Sequence, residues 1–263
     1  MKEINTLDIF NDRNLNIFTD ASIIKQSYGF DGCSGCIVVT TNGNKIDIDS
    51  NLAIRKDTTN NESEIAAIQF GIAYACKFKQ LFPNIHINLF SDSKISVMGL
   101  KEWIYSWIKN SRNGILISSS GQAVKNQNVF LDCIDMIIKN NLDISIYHIN
   151  GHVKNNDKQE LYKALMSFRE VNNLTNYYID MELFKKLCCC NDIIDNISRD
   201  ILSGKEISVE LNEMSKIAFA DYVVNSTNYT LLDDYISKAF IPTYDSLDID
   251  LYKKIIKGGL NYV

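Results

Sequence analysis

The segment GCIVVTTNGNKIDIDSNLAI, Gly35 to Ile54, sets two apolar, β-branched runs on either side of Asn42-Gly43. That dipeptide is the strongest short-range signal for a tight turn between antiparallel strands. A hairpin so apolar must cover a face with another layer, which excludes a helical bundle and a disordered chain. LNIFTDAS, from Leu15 to Ser22, reads as a strand before it, so three successive strands form an antiparallel meander. The period then changes. Ile65, Ile68, Ile72 and Ala73 recur at helical spacing in a segment from about Asn61 to Lys79. NIHINLFSDS is an apolar strand with a polar end, and a strand reached through a helical crossover lies parallel to the first. SDSKISVMGLKEWIYSWIKN reads as short helices, NQNVFLDCIDMIIKNN as another helix, and DISIYHING as a fifth strand. The order β-β-β-α-β-α-α-β predicts an α/β layer fold on a five-stranded mixed sheet.

After Gly151 the pattern becomes wholly helical. Helices are expected at roughly Asp157 to Arg169, Asp180 to Leu187 and Cys190 to Leu202, with three more toward Val263. Ser203-Gly204 is the best boundary, since Gly caps a preceding helix. Residues 1–203 are thus read as the main domain and 204–263 as an all-helical C-terminal extension. A chain of 263 residues with 46% hydrophobic content can bury a sizeable core. No apolar run approaches the roughly 20 residues of a membrane span, and MKEINTLDIFNDRN has no signal-peptide core, so a cytoplasmic protein without membrane contact is expected. The net charge of −5 argues against nucleic-acid binding through overall charge but allows a local basic surface. Seven cysteines include a lone C-x-x-C, Cys33 and Cys36, in a Gly-rich turn with no second pair at zinc spacing. Free thiols in a reducing compartment fit better than zinc.

The carboxylates carry the chemistry. Asp20, in FTDAS, lies inside an apolar strand, where a buried carboxylate must be paired or metal-bound. Asp92, in LFSDS, lies at the polar end of the fourth strand. If these strands are parallel neighbours the two carboxylates converge, and sites in α/β sheets gather beyond strand C-terminal ends. Glu62 and Glu64 open the first long helix behind Asn60 and Asn61, either of which can cap it; both glutamates suit the helix dipole. The segment alone leaves open which glutamate is chemical.

FTDAS, TTNNESEIAAI, LFSDS, WIYSWIKN, VKNQNVFLD and NGH resemble, in order and spacing, the type 1 ribonuclease H family over roughly Leu15 to His152. The resemblance implies a ribonuclease H-like fold. It also implies an endonuclease that hydrolyses the RNA strand of RNA/DNA hybrids, with Asp20, Glu64 and Asp92 as catalytic metal ligands. Glu62 falls on a variable position of the family motif. The family's fourth carboxylate sits in an Asn-x-x-x-Asp helix soon after Gly-His. Asp157 and Glu160, directly after Gly151-His152, lack that spacing, whereas Asn191 and Asp195 have it on one helical face. Asp195 is preferred, with residues 153–190 as a helical insertion, and Asp157 and Glu160 stay open. His152 is implied to assist proton transfer or product departure. Clustered carboxylates without Cys or His partners favour a hard cation: two Mg2+ ions, with Mn2+ as a substitute. For the substrate, Thr59, Asn60 and Asn61 at a helix N-terminus are expected to reach sugars, base edges or phosphate. Lys94 stands where the family often has Gln. Trp103 and Trp107 stand in the family's basic protrusion, with Lys101, Lys109, Arg112 and Lys125 as a thin basic surface.

Two departures weigh against a simple transfer. The glycine-rich loop after the first Asp is altered to IIKQSYGFDGCSG, and the fourth carboxylate is displaced. The alternatives are a catalytically silent hybrid-binding or scaffold module, and a different nuclease of the same fold. Proofreading exonucleases resemble Asp-x-Glu on the first strand, where this chain has Asp20-Ala21-Ser22. The sequence leaves the oligomeric state open.

Overall fold

The structure, a computed structural model, describes residues 5–154, 157–205 and 213–233. It opens with β1 (Asn5–Thr6), β2 (Asn14–Gln26), β3 (Gly29–Asn42) and β4 (Lys45–Arg55), followed by α1 (Asn60–Leu81) and β5 (His86–Ser91). α2 (Lys94–Met98), a π-helical turn (Gly99–Trp103), α3 (Ile104–Lys109) and α4 (Gln127–Lys139) lead to β6 (Ile144–His148). α5 (Lys158–Val171), β7 (Tyr177–Tyr178), α6 (Met181–Leu202), α7 (Glu213–Ala218) and β8 (Val223–Asp233) complete the described chain.

The main sheet has the order β6-β5-β2-β3-β4-β8. β2, β3 and β4 pair antiparallel; β5 lies parallel to β2, and β6 parallel to β5. α1 and α4 cover one face and α6 the other. Strand alternation feeds both layers: Ile17 belongs to the buried cluster on the α1 side, Phe18 to the cluster on the α6 side. The α/β layer expectation and its parallel crossover hold.

Four expectations differ from what folds. β2 and β3 continue to Gln26 opposite Gly29, so the altered glycine-rich segment is a long hairpin rather than a loop. Cys33 and Cys36 therefore lie mid-strand, buried in opposite clusters, and three residues of strand point their thiols away from each other. The helices expected at Asp180 to Leu187 and Cys190 to Leu202 are one, α6. No Gly or Pro interrupts it, and Cys188, Cys189 and Cys190 are buried as small hydrophobes. It ends as expected: Gly204, at φ +66°, donates its N–H to Ile201 O, and Lys205 N–H reaches Asp200 O, a Schellman cap.

The fourth difference is β8. VVNSTNYTLLD, expected to be helical, pairs parallel with β4 from Lys45↔Val223 to Ile54↔Asp233 and makes the sheet six-stranded. Its β-branched and aromatic residues suit a pleated edge that β4 offers unpaired. The other residues of the expected C-terminal extension, 206–212 and 234–263, lie outside the described residues. Among the described residues no helix is long and apolar enough to cross a membrane.

Candidate active site

The site begins with register. The last pair that β2 makes with β5 is Thr19↔Ser91, so Asp20 and Asp92 are the next residues of two parallel neighbours. Two residues earlier on the same face, Phe18 and Phe90 stack with centroids 4.6 Å apart, and Phe90 stacks on Tyr147 of β6 at 5.1 Å. This aromatic floor fixes the alignment that brings the carboxylates side by side. Asp20 is 7% exposed, and Ala21 N–H donates to its Oδ1 at 2.7 Å. Burial first, and then the Asp92 charge, push its carboxyl well above the usual range; Asp195 adds to the rise. Asp92 is raised as well, by burial and then by the Glu64 charge. Gly151 closes the back: a Cβ there would collide with Asp92 Oδ2. The Gly of the NGH motif is a packing requirement of the carboxylate.

Glu64 reaches this pair from the second turn of α1. Asn60 Nδ2 donates to its Oε1 at 2.5 Å and Ser93 Oγ to its Oε2 at 2.5 Å. The cap of α1 is Thr59, which accepts Glu62 N–H at 3.3 Å, rather than Asn60 or Asn61. Asn60 is left free to orient Glu64. Glu62 turns away and pairs with Arg55 at 2.7 Å.

Asp195 comes from the other face, on α6. It pairs with Arg199 one turn on, and with His152 Nδ1 at 3.4 Å. Its charge acts on Asp20, Asp92 and Asp192. Asp157 instead caps α5 through the N–H groups of Gln159 and Glu160, and Glu160 Oε1 accepts Lys154 N–H at 3.3 Å. His152 sits at φ +54° with an exposed ring. His148 is buried, its Nε2 3.2 Å from Asp92 O, which makes it a support under that strand end.

Thr59, Asn60, Asn61, Lys94, Lys109, Arg112 and Lys125 are all exposed. Of the two tryptophans, Trp103 is 39% exposed, whereas Trp107 is buried edge-on against Phe130. Trp107 thus packs the core and is not a surface contact. Lys101 is half-buried and lines a cavity at the outer edge of the sheet instead of joining the basic surface. Sequence reasoning missed Ser93, Arg199 and Asp192. Arg199 was findable as the i+4 partner of Asp195. Asp192, pushed up to about 6 by burial and then by Asp195, adds to the negative charge.

Hard oxygen donors in this excess fit a divalent cation, because five carboxylates face one guanidinium and the buried one must otherwise hold a proton. Among the described residues no three His, Cys, Asp or Glu side chains stand together as a ready ligand group. Glu64 is engaged by Asn60 and Ser93, and Asp195 by Arg199 and His152.

The family model described as RNase H matches residues 12–164. A Ribonuclease H of Actinobacillus pleuropneumoniae serotype 5b is 28% identical over 152 residues, 57% of this chain and 88% of that protein. A Ribonuclease HI of Pasteurella multocida is 30% identical over 115 residues, 41% of this chain and 64% of that protein. The solution structure of the PFV RNase H domain is similar at 18% identity and a TM-score of 0.45, covering 63% of this chain and 96% of that domain. Asp195 lies beyond the matched residues, on the helix that closes the site from the far side of the sheet. With more than half of its 263 residues matched, the chain belongs to the RNase H family and is a ribonuclease H hydrolase.

Proposed function

We propose that the protein is an endonuclease that hydrolyses the RNA strand of RNA/DNA hybrids. In this reading two divalent ions, Mg2+ by default with Mn2+ as a substitute, are held by Asp20, Glu64, Asp92 and Asp195. Members of the family are generally divalent-metal dependent. The observation that carries the reading is the convergence of Asp20 and Asp92 beyond the last β2–β5 pair, with the charges of Glu64 and Asp195 acting on them from opposite faces. Such ions supply an activated water and charge neutralisation at the leaving oxygen.

The chain's own residues do the rest. Asp20 would give up the proton that burial and the Asp92 charge favour on it when a cation binds, which ties binding to pH. Ser93 and Asn60 hold Glu64 at the mouth of the site, and Gly151 leaves room for Asp92. His152 faces Asp195 through Nδ1 and keeps its ring exposed, which places an imidazole for proton transfer where the leaving group departs. Thr59, Asn60 and Asn61 face the hybrid from the N-terminus of α1, and Lys94, Trp103, Lys109, Arg112 and Lys125 meet its phosphates and sugars. This thin basic surface on an acidic chain makes binding weak, with a salt dependence set by the few phosphates it neutralises.

Labelled RNA/DNA, RNA/RNA and DNA/DNA duplexes, incubated with and without Mg2+, test the proposal. Cleavage confined to the RNA of the hybrid and requiring the cation is expected. Equal cleavage of DNA/DNA, or hydrolysis persisting in EDTA, would overturn it.

A further inference from the structure

Two kinds of partner hold the outer carboxylates of the cluster. Glu64 is held by Asn60 Nδ2 and Ser93 Oγ, neutral donors that orient its oxygens and leave its charge available. Asp195 is held by a cation. The Arg199 guanidinium pairs with its Oδ2, and His152 Nδ1 stands 3.4 Å from that same oxygen. An oxygen with a guanidinium against it is a poor ligand for a second cation, since like charges at contact distance repel.

The pair is seated against the catalytic strand. Asp192, Asp195 and Arg199 lie at i, i+3 and i+7 of α6 and so share one face. Ser198 Oγ donates to Asp195 O at 3.0 Å and lies 3.0 Å from Ser22 Oγ, and Ser22 follows Asp20 on the same face of β2. This seam holds the Asp195 turn of α6 beside Asp20. The Asp195 side chain is 13% exposed, whereas Arg199 is half exposed and reaches in from solvent. The charges of Asp20 and Asp200 also act on the guanidinium, but Asp200 pairs with Lys205 at 3.0 Å. Among the described residues, Asp195 is the carboxylate that Arg199 touches. An exposed i, i+4 pair is a minor surface contact. This one sets a removable positive charge on a largely buried carboxylate whose own charge reaches Asp20, Asp92 and Asp192.

On the reading of the carboxylates as a cation site, we propose that Arg199 is an internal counter-ion. It occupies Asp195 in the absence of a divalent cation, must be displaced before one is held there, and so sets the cation concentration the site requires. On displacement the guanidinium turns to the solvent it already meets, and Asp195 keeps its place through the Ser198 seam. Arg199 is thus a positioning residue and not a ligand. The sign of its effect separates this role from simple support: removing a prop weakens cation binding, whereas removing a competitor strengthens it.

Mg2+ titration of the isotope-labelled full chain without substrate, at pH 8 and constant ionic strength, reads that sign from the backbone shifts at Asp20 and Asp92. Arg199→Met keeps an apolar stem and removes the charge, and is expected to bind Mg2+ about three- to tenfold more tightly than the wild type. Arg199→Lys keeps the charge and should match the wild type within about twofold. In EDTA the Tm of Arg199→Met should fall by about 2–4 °C, because the cluster has lost its counter-charge. With Asp195→Asn already in place, Arg199→Met should change the affinity by less than about twofold. Unchanged or weaker Mg2+ binding by Arg199→Met overturns the proposal, as does equal tightening by Arg199→Lys. Equal tightening in the Asp195→Asn background makes Arg199 a general surface charge and overturns it too. Should Arg199→Met fail to fold, the wild type decides: the Arg199 side-chain N–H resonances should move toward those of a solvated arginine as Mg2+ saturates, and fixed resonances defeat the assignment. A wild type that binds no Mg2+ removes the cation reading together with this proposal, a result distinct from binding without tightening.

Discussion

Ser93 Oγ donates to Glu64 Oε2 at 2.5 Å, joining the end of β5 to the second turn of α1 across the mouth of the carboxylate cluster. The same hydroxyl caps α2 by accepting Ser96 N–H and touches Ser96 Oγ at 2.8 Å. Ser93 is therefore a positioning residue, and its loss should act through Glu64. Ser93→Ala is expected to lower kcat about tenfold with little change in KM and to cost about 1 kcal/mol of stability, while Ser93→Thr restores both. An unchanged kcat with the same stability loss would reduce Ser93 to a helix cap.

Glu62 and Glu64, two residues apart, should separate cleanly. Glu62 pairs with Arg55 near the surface, where such a pair contributes about 0–1 kcal/mol. Glu64 acts on Asp92 and is oriented by two donors. Glu64→Gln should lower the cleavage rate by about two orders of magnitude or more, and Glu62→Gln should leave it within about threefold. Steady-state cleavage of a hybrid by the two variants checks this, and equal damage from both defeats the assignment.

Much of this arrangement is legible in the sequence because it depends on local periods. The hairpin signalled by Asn42-Gly43, whose loop residues are Gly43 and Asn44, the crossover helix and the two aspartates at strand ends all follow from patterns a few residues long. Asp195 was within reach because Asn191-x-x-x-Asp195 is also local, although its approach to Asp20 from a separate helix is a tertiary fact. What escaped reading is side-chain hand-over between elements. Ser93 reads as one more polar residue of SDS, and only the fold turns it onto Glu64. β8 escaped for a different reason: a strand's partner is chosen by an unpaired edge, here that of β4, and edges are not written in any single segment.

The Asp20 carboxyl makes stability depend on pH in a defined direction. Burial, and then Asp92, raise it above its unfolded value near 4. The native state then keeps a proton that the unfolded state has released, so stability falls as pH rises from about 4 through the raised folded value. Below pH 4 both states are protonated and the penalty vanishes. In EDTA, urea unfolding should show a loss of roughly 1–3 kcal/mol between pH 5 and pH 8 that is absent in Asp20→Asn. At pH 8, Mg2+ should raise the Tm of the wild type by mass action and leave that variant's nearly unmoved. The variant should hydrolyse nothing while still binding hybrid.

Asp195 and Asp157 offer a second clean contrast. Asp195 is held beside His152 and acts on Asp20, whereas Asp157 is an exposed cap of α5. Asp195→Asn should lower cleavage by about tenfold or more and shift its Mg2+ dependence to higher concentration. Asp157→Asn should leave both intact, since Asn caps as well as Asp. If Asp195→Asn were fully active and Asp157→Asn were not, the long segment before α6 could not be an insertion into the site.

Residues 213–233 bear on whether the C-terminal part is an appendage or belongs to the fold. Phe219 is 2% exposed, meets Phe10 edge-on at 5.6 Å, and shares a buried cluster with Phe18 and Ile194. Tyr222 donates its hydroxyl to Phe10 O at 3.2 Å, and Lys186 of α6 reaches Asp221 at 2.7 Å while lying over the Tyr222 ring. The segment before β2, the helix that carries Asp195 and the approach to β8 are thus packed into one layer. Phe219→Ala should cost about 3–5 kcal/mol and lower the single unfolding transition of the whole chain. A double-mutant cycle with Phe10→Ala should return a coupling of about 0.5–1.5 kcal/mol, as for an aromatic pair in contact. An appended unit would behave otherwise: its transition would melt early by itself, amide exchange in β2 would be untouched, and the coupling would be zero.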